Sequence, residues 1–283
     1  MVIGVEEESM RWRLIAILPL LAMAGCSAAE VRDAAPLEQS SASTVTTAQA
    51  GGSTASAQSV SGGAKAVARS DDLAEFKLSY PAAVGRILPL ARTIEQQAAA
   101  AEAEMRETAR ADRASARAGG HTFRPHMLSS EWKVVADLPR FLSLSNGFAT
   151  YTGGAHGMYG MQSLVWDKRT AQAMDGAEMF TSPAALGQAL AQRFCRALDA
   201  ERRKRRGGDA TLGGGFDECP QVHALTVLVG SGNGRTFDRL TLYAGPYLAG
   251  PYAEGAYEVD LPVDQAVLAA VRPEYRSAFS TGR

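Results

Sequence analysis

FLSLSNGFATYTGGAHGMYGMQSLVWD, Phe141 to Asp167, is the stretch from which the rest of the chain is read. Phe141 to Ser145 and Phe148 to Thr152 are rich in β-branched and aromatic residues, and they flank Asn146-Gly147, the pair best able to take positive φ in a two-residue turn. The spacing predicts a β-hairpin turning at Asn146-Gly147. Its second arm runs into Tyr151-Thr-Gly-Gly-Ala-His-Gly157, where a backbone without Cβ atoms can bend sharply or approach a neighbour closely. Tyr151, Gly153, Gly154 and His156 are therefore candidate binding residues.

Downstream, Met161 to Trp166 reads as a further strand, followed by a turn at Asp167 to Thr170 and then Met179-Phe180. Ser182 is a good N-cap with Pro183 at the first helical position, and Leu186, Leu190, Phe194 and Leu198 recur on one face. A helix is expected there. Its last turns carry Arg202, Arg203, Lys204, Arg205 and Arg206, read as a solvated end that complements the helix dipole before Gly207-Gly208 stops it. Ala224 to Val229 and Arg239 to Tyr243 read as strands joined through the turn pair Asn233-Gly234. No helix follows that glycine-rich loop, so it lacks the context of a phosphate cradle. Tyr257 to Leu261 is a last strand, and Val263 to Val271 a short terminal helix.

Upstream, Trp132 to Leu138 and Leu73 to Tyr80 read as strands, the latter stopped by Pro81. Between them Ile87 to Arg117 is dominated by Ala, Glu, Gln and Arg, which predicts a long helix entered at Pro89 and ended by Gly119-Gly120. Its polarity beyond Thr93 suggests a largely exposed rod. The fold class is α+β: an antiparallel sheet with two main helices and a short C-terminal helix, occupying residues 71–283.

The N-terminus indicates an address. Arg11 and Arg13 precede the apolar run Leu14 to Ala24, too short to span a bilayer but suited to a signal-peptide core, ending at Met23-Ala-Gly-Cys26. This resembles a bacterial lipobox, with Met23 where the pattern prefers Leu. The resemblance implies cleavage before Cys26, residues 1–25 as signal peptide and acylation of Cys26; Ser27 implies export to the outer membrane with the domain facing the periplasm. Glu6, Glu7 and Glu8 do not suit a positively charged leader, which points to Met10 rather than Met1 as the start. Residues 26–70, poor in large apolar side chains, read as a flexible tether.

Composition excludes some partners. The 283 residues are 46% hydrophobic and 21% charged, ordinary for a globular protein, with a formal net charge of -1 that becomes zero once three glutamates and two arginines leave with the signal peptide. Nothing here draws nucleic acid, and the expected membrane contact is the lipid anchor.

Between the last two strands the unit Ala-Gly-Pro-Tyr occurs twice, at Ala244 to Tyr247 and Ala249 to Tyr252, followed by Ala253-Glu254-Gly255. Proline and glycine restrict this loop to turns. Tyr247, Tyr252 and Glu254 join the candidate binding residues, since tyrosines among small residues give amphipathic contact area at low entropy cost, unless the rings simply pack on the sheet.

Tyr151-Thr-Gly-Gly-Ala-His156, the Trp166 to Thr170 turn ahead of Met179-Phe180, and Gly250-Pro-Tyr-Ala-Glu-Gly255 together resemble the domain of unknown function shared by RsiV-type anti-sigma factors and PdaC-type peptidoglycan deacetylases, over about Asp71 to Pro273. The resemblance implies an extracytoplasmic α+β module, and from the anti-sigma factors a lysozyme-like protein partner. Neither the sigma-binding segment nor the deacetylase catalytic domain of those families is expected here. The expected function is a non-enzymatic binding module for a protein or peptidoglycan fragment in the envelope.

The alternative is an envelope hydrolase or deacetylase using His156 with Asp167 or Glu254. His121, His126 and His223, with Asp137, Glu258 and Asp260, complete the titratable candidates, and no zinc-protease spacing, nucleophile elbow or CxxC pair occurs. His121 and His126, five apart, leave metal binding open, while His156 also suits a ring bonded to the backbone of its own corner. No catalytic residue, metal site or cofactor is assigned. Of three cysteines, lipidation takes Cys26, which leaves Cys195 and Cys219 to pair in an oxidising compartment, closing a loop of about 25 residues for about 3.5 kcal/mol in the chain-entropy model.

Overall fold

The computed structural model describes residues 56–58, 63–208, 211–213 and 215–282. Cys26, the signal peptide and most of the tether lie outside the described residues.

Seven strands form the larger sheet in sequence order: β1 (Ser56–Gln58), β2 (Lys65–Ser70), β3 (Ala74–Tyr80), β4 (His126–Asp137), β5 (Phe141–Tyr151), β6 (Met158–Asp167) and β7 (Gln172–Met174). The pairing is antiparallel except between β3 and β4, which run parallel because the chain crosses over through the short α1 (Ala82–Gly85) and the long α2 (Leu88–Ala118). A smaller antiparallel sheet holds β8 (Thr226–Gly230), β9 (Arg239–Ala244) and β10 (Tyr257–Pro262), in the order β10-β9-β8. Helix α3 (Pro183–Arg205) lies between the two sheets in sequence, and α4 (Gln265–Ala270) follows β10. The class is α+β, with two sheets where the sequence suggested one.

The central strands are covered on both faces, so alternate residues feed two cores. Leu142, Leu144, Leu164 and Trp166 join Phe76, Leu78, Leu90, Ile94 and Trp132 beneath α2. Phe141 and Val165 face the other way, into a core shared with the smaller sheet and with Leu186, Leu190, Phe194 and Leu198 of α3. Ser182 Oγ accepts the Ala185 amide at 3.0 Å, and the cap and apolar stripe place this helix where the sequence suggests. A disulfide joins Cys195 on α3 to Cys219, Cα to Cα 5.6 Å, and ties down the loop that leads to β8.

Two expectations need correction. Asn146-Gly147 is not a turn: β5 runs unbroken through it, Asn146 pairing with Trp132 on one side and Gln162 on the other. Asn146 is buried, accepts from Ser130 Oγ at 2.8 Å and donates to Gln162 Oε1 at 3.0 Å, so one side chain stitches three strands. The hairpin turn comes after Tyr151 instead. The fold also begins inside the expected tether, because β2 adds to β3 from Lys65 onward. As a half-buried strand it draws on ladder bonds and on Lys65–Glu95 and Arg69–Glu102 ion pairs to α2, which leave little apolar signal. Gly85 permits the join: a Cβ there would lie 1.5 Å from the Gly63 carbonyl oxygen. Beyond Thr93, α2 is largely exposed as expected, with Ile94, Met105 and Ala109 its buried residues there.

Candidate functional site

The turn between β5 and β6, Thr152 to Gly157, meets the loop between β9 and β10. Gly153 and Gly154 take φ of 96° and 85°, which turns the chain within a few residues. His156 follows, and its Nδ1 lies 2.9 Å from the Gly157 carbonyl oxygen. A carbonyl only accepts, so Nδ1 carries the hydrogen and Nε2 is left to accept from Tyr247 Oη at 3.3 Å. The ring stacks on Tyr252 with centroids 3.9 Å apart and planes 21° apart. Tyr159 meets Tyr252 edge-on at 6.0 Å, and Tyr247 lies 5.7 Å from Tyr252. Four rings from two segments thus make one patch.

This patch is open to solvent. Tyr247 is 47% exposed and Leu248 40%, with Met158 at the head of β6 similarly bare. Tyr247 also sits at φ 70°, a left-handed conformation that costs a residue with a Cβ about 1 kcal/mol or more. The alternative in which the tyrosines pack flat on the sheet does not hold for Tyr247.

Behind the patch, Arg202, Arg205 and Arg206 of the basic run are anchored rather than solvated, a correction for those three, while Arg203 and Lys204 are exposed as expected. Arg202 is fully buried and donates to the carbonyls of Ala249 at 3.0 Å, Asp217 at 3.1 Å and Glu218 at 2.8 Å, and to Asp199 Oδ1 at 3.1 Å. Arg206 grips Glu254 through Nε at 2.9 Å and Nη2 at 3.0 Å, and Arg205 donates to the carbonyls of Glu254 at 2.8 Å and Ala256 at 2.7 Å. Arg205 also lies over the Tyr257 ring at 3.9 Å. The tyrosine loop is thus held from the rear by the end of one helix.

Those contacts decide what the acids can do. Burial alone would push the Glu254 carboxyl up, but Arg206 and the Tyr257 hydroxyl that donates to it hold it below the usual carboxylate range. Asp167 is buried and bonded to Arg140 at 2.6 Å; burial raises it, and Arg140 with the Arg169 amide more than reverses this. It closes β6, whose other end abuts His156, and nine residue steps of about 3.3 Å separate the strand ends by about 30 Å. Neither acid pairs with His156, so the His156–Asp167 and His156–Glu254 arrangements do not form.

The candidates divide. His156, Tyr247 and Tyr252 come together, Glu254 braces their loop from behind, and Tyr151, Gly153 and Gly154 line a different cleft with Asp112, Arg124 and His126. Arg202, Arg205, Arg206 and Tyr159 were not nominated by sequence. A signal existed for Arg202, which continues the stripe Leu186, Leu190, Phe194, Leu198 by one more four-residue step. Among the described residues no group of three or more His, Cys, Asp or Glu converges as metal ligands would.

Comparison with known proteins agrees with the resemblance read from the motifs. Residues 67–159 match the family described as Deacetylase PdaC, a span from β2 to the aromatic patch. No curated protein matches the chain. Two similar solved structures are a DUF3298 family member from Bacteroides fragilis NCTC 9343, at 16% identity and TM-score 0.49 over 74% of this chain and 92% of that one, and a DUF3298 family protein from Pseudomonas aeruginosa PAO1, at 16% identity and TM-score 0.49 over 82% of this chain and 98% of that one. Over residues 67–159 the chain is similar to a PdaC-type domain.

Proposed function

We propose that the protein is an extracytoplasmic binding module, tethered through Cys26 to the outer membrane, that takes an envelope-accessible protein of the lysozyme type on the patch of His156, Tyr247 and Tyr252. The observation that carries this is the His156 ring stacked on Tyr252 at 3.9 Å, which joins two loops into one exposed surface. Tyrosine-rich, pre-organised, solvent-open patches are the surfaces on which protein partners find their anchors. A backing of buried arginine and a disulfide keeps the loops from paying an ordering cost on binding. The lipobox-like leader and the disulfide favour an oxidising compartment outside the cytoplasm.

The test immobilises the chain from Cys26 onward and measures retention of lysozyme and, in a second arm, of soluble peptidoglycan fragments. Tyr252→Ala and His156→Ala should each weaken lysozyme retention about tenfold or more while thermal unfolding stays within a few degrees, the size of effect expected from an interface anchor. Retention of the fragments alone, lost in the same variants, would move the ligand from protein to cell wall. Unchanged retention in both variants would overturn the assignment of the patch.

A further inference from the structure

On the other flank of the same turn lies a cleft of about 660 Å³, lined by Asp112 of α2, Arg124, His126 at the head of β4, Tyr151, Gly153 and Gly154. Its size is that of a small-ligand site. His126 forms part of its wall while being only 1% exposed. Its Nε2 lies 3.1 Å from Asp112 Oδ2, so the ring donates there, and Nδ1 is left buried with no hydrogen-bond partner among the described residues.

The charges around it are arranged as a pair. Arg124 is exposed, makes a 3.5 Å hydrogen bond to Tyr151 Oη and has no ion pair among the described residues. Asp112 is half-exposed on its outer side. Gly153 and Gly154 line the same cleft, and nothing lies within 4 Å of the position a Cβ would take at either, so their backbone is open to a ligand. A planar guanidinium without a counter-ion suits a carboxylate held by two parallel hydrogen bonds. Asp112, held from behind by the His126 ring, presents its carboxylate to an ammonium group.

The geometry points to a second binding site in this cleft, specific for a small zwitterion, an amino acid or short peptide with free amino and carboxyl ends, its carboxylate on Arg124 and its ammonium on Asp112. This site does not depend on the protein-binding reading of the His156 patch.

The probe is L-alanyl-L-alanine, compared with its N-acetyl and C-amide forms, titrated into the protein while the amide resonances of Gly153 and Gly154 are followed. The free dipeptide should shift those two resonances saturably, and each blocked form should bind about tenfold or more weakly. Arg124→Gln should remove the preference for a free carboxylate and Asp112→Asn the preference for a free amine, both from exposed positions that leave the core intact. Tyr252→Ala should leave dipeptide binding unchanged. No saturable shift by about 10 mM, equal affinity for the three forms, or loss of binding in Tyr252→Ala would each overturn the proposal.

Discussion

Replacing Arg202 by alanine should destabilise the domain by about 4 kcal/mol, more than the loss of any surface charge could. The side chain is fully buried, and its guanidinium binds the carbonyls of Ala249, Asp217 and Glu218 besides the Asp199 carboxylate. Ala249 is itself buried, so its carbonyl cannot turn to water and would cost about 1–3 kcal/mol unmatched. Arg206 Nη2, 3.5 Å from the same oxygen, compensates only weakly. The other two carbonyls are near the surface and can rehydrate at lower cost. Removing the long stem then opens a cavity in a close-packed region, for a further share of about 2 kcal/mol. At about 2–4 °C per kcal/mol for a domain of this size, the melting temperature should fall by about 8–16 °C.

Arg202→Met separates the two contributions, because it fills the stem's space but offers no donors. It should cost about half as much. Urea unfolding followed by circular dichroism at neutral pH, with the disulfide intact, measures both. If Arg202→Met unfolds at the same denaturant concentration as the native protein, the guanidinium bonds contribute nothing net, and the view of Arg202 as anchor of the tyrosine loop fails.

Asp175 gives a pH signature: burial pushes its carboxyl up from 3.8 to about 6, with the nearby Glu178 adding to the rise and the Ala177 amide opposing it. A raised folded-state value means that its contribution to stability is fully present below about pH 4 and is lost as pH rises through 6, at most about 3 kcal/mol for two units. Asp175→Asn keeps an acceptor for the Ala177 amide, so it should flatten stability between pH 4 and 6 in urea titrations; an unchanged slope would show that Asp175 titrates normally. Separately, Cys195→Ser with Cys219→Ser should lower stability by about 3.5 kcal/mol for a sequence separation of 24, and a double variant as stable as the native protein would place the loop's order with the arginines alone.

What was legible in the sequence was what is encoded locally. Helix α3 carries its own N-cap, its proline at the first position and its four-residue stripe, and α2 its run of strong helix formers, so both stand close to where the residues put them. Asn146-Gly147 shows where local reading fails. Its turn propensity amounts to a few tenths of a kcal/mol to about one, whereas the pairing of β5 with β4 and β6 recruits every backbone group from Phe141 onward and gives Asn146 two side-chain partners. Strand β2 was hidden for the opposite reason: its partners are backbone and ions, neither of which leaves an apolar pattern.

The site was legible in halves. Glycines beside a histidine, and tyrosines between Gly-Pro pairs, are composition signals that survive without a structure, and both were found. Their meeting across 91 residues is a tertiary fact, set by β6 lying against the smaller sheet where Thr226 Oγ1 donates to the Met161 carbonyl at 2.8 Å. The basic end of α3 was misread because five consecutive cations look like a helix terminus in water, and dipole complementarity does hold there. Yet the apolar stripe of α3 reaches Arg202 at the next step, and a residue in register with Leu198 has to be buried. Once buried, a guanidinium needs acceptors on every side, and only irregular backbone supplies carbonyls not already spent in a ladder. The loop after β9 and the segment before Cys219 are such backbone. The placing of Tyr247 and Tyr252 toward His156 is therefore a consequence of where the helix face placed its arginine, while Glu254, a binding candidate weighed in the alternative reading as an acid partner of His156, is the counter-ion of that same helix end.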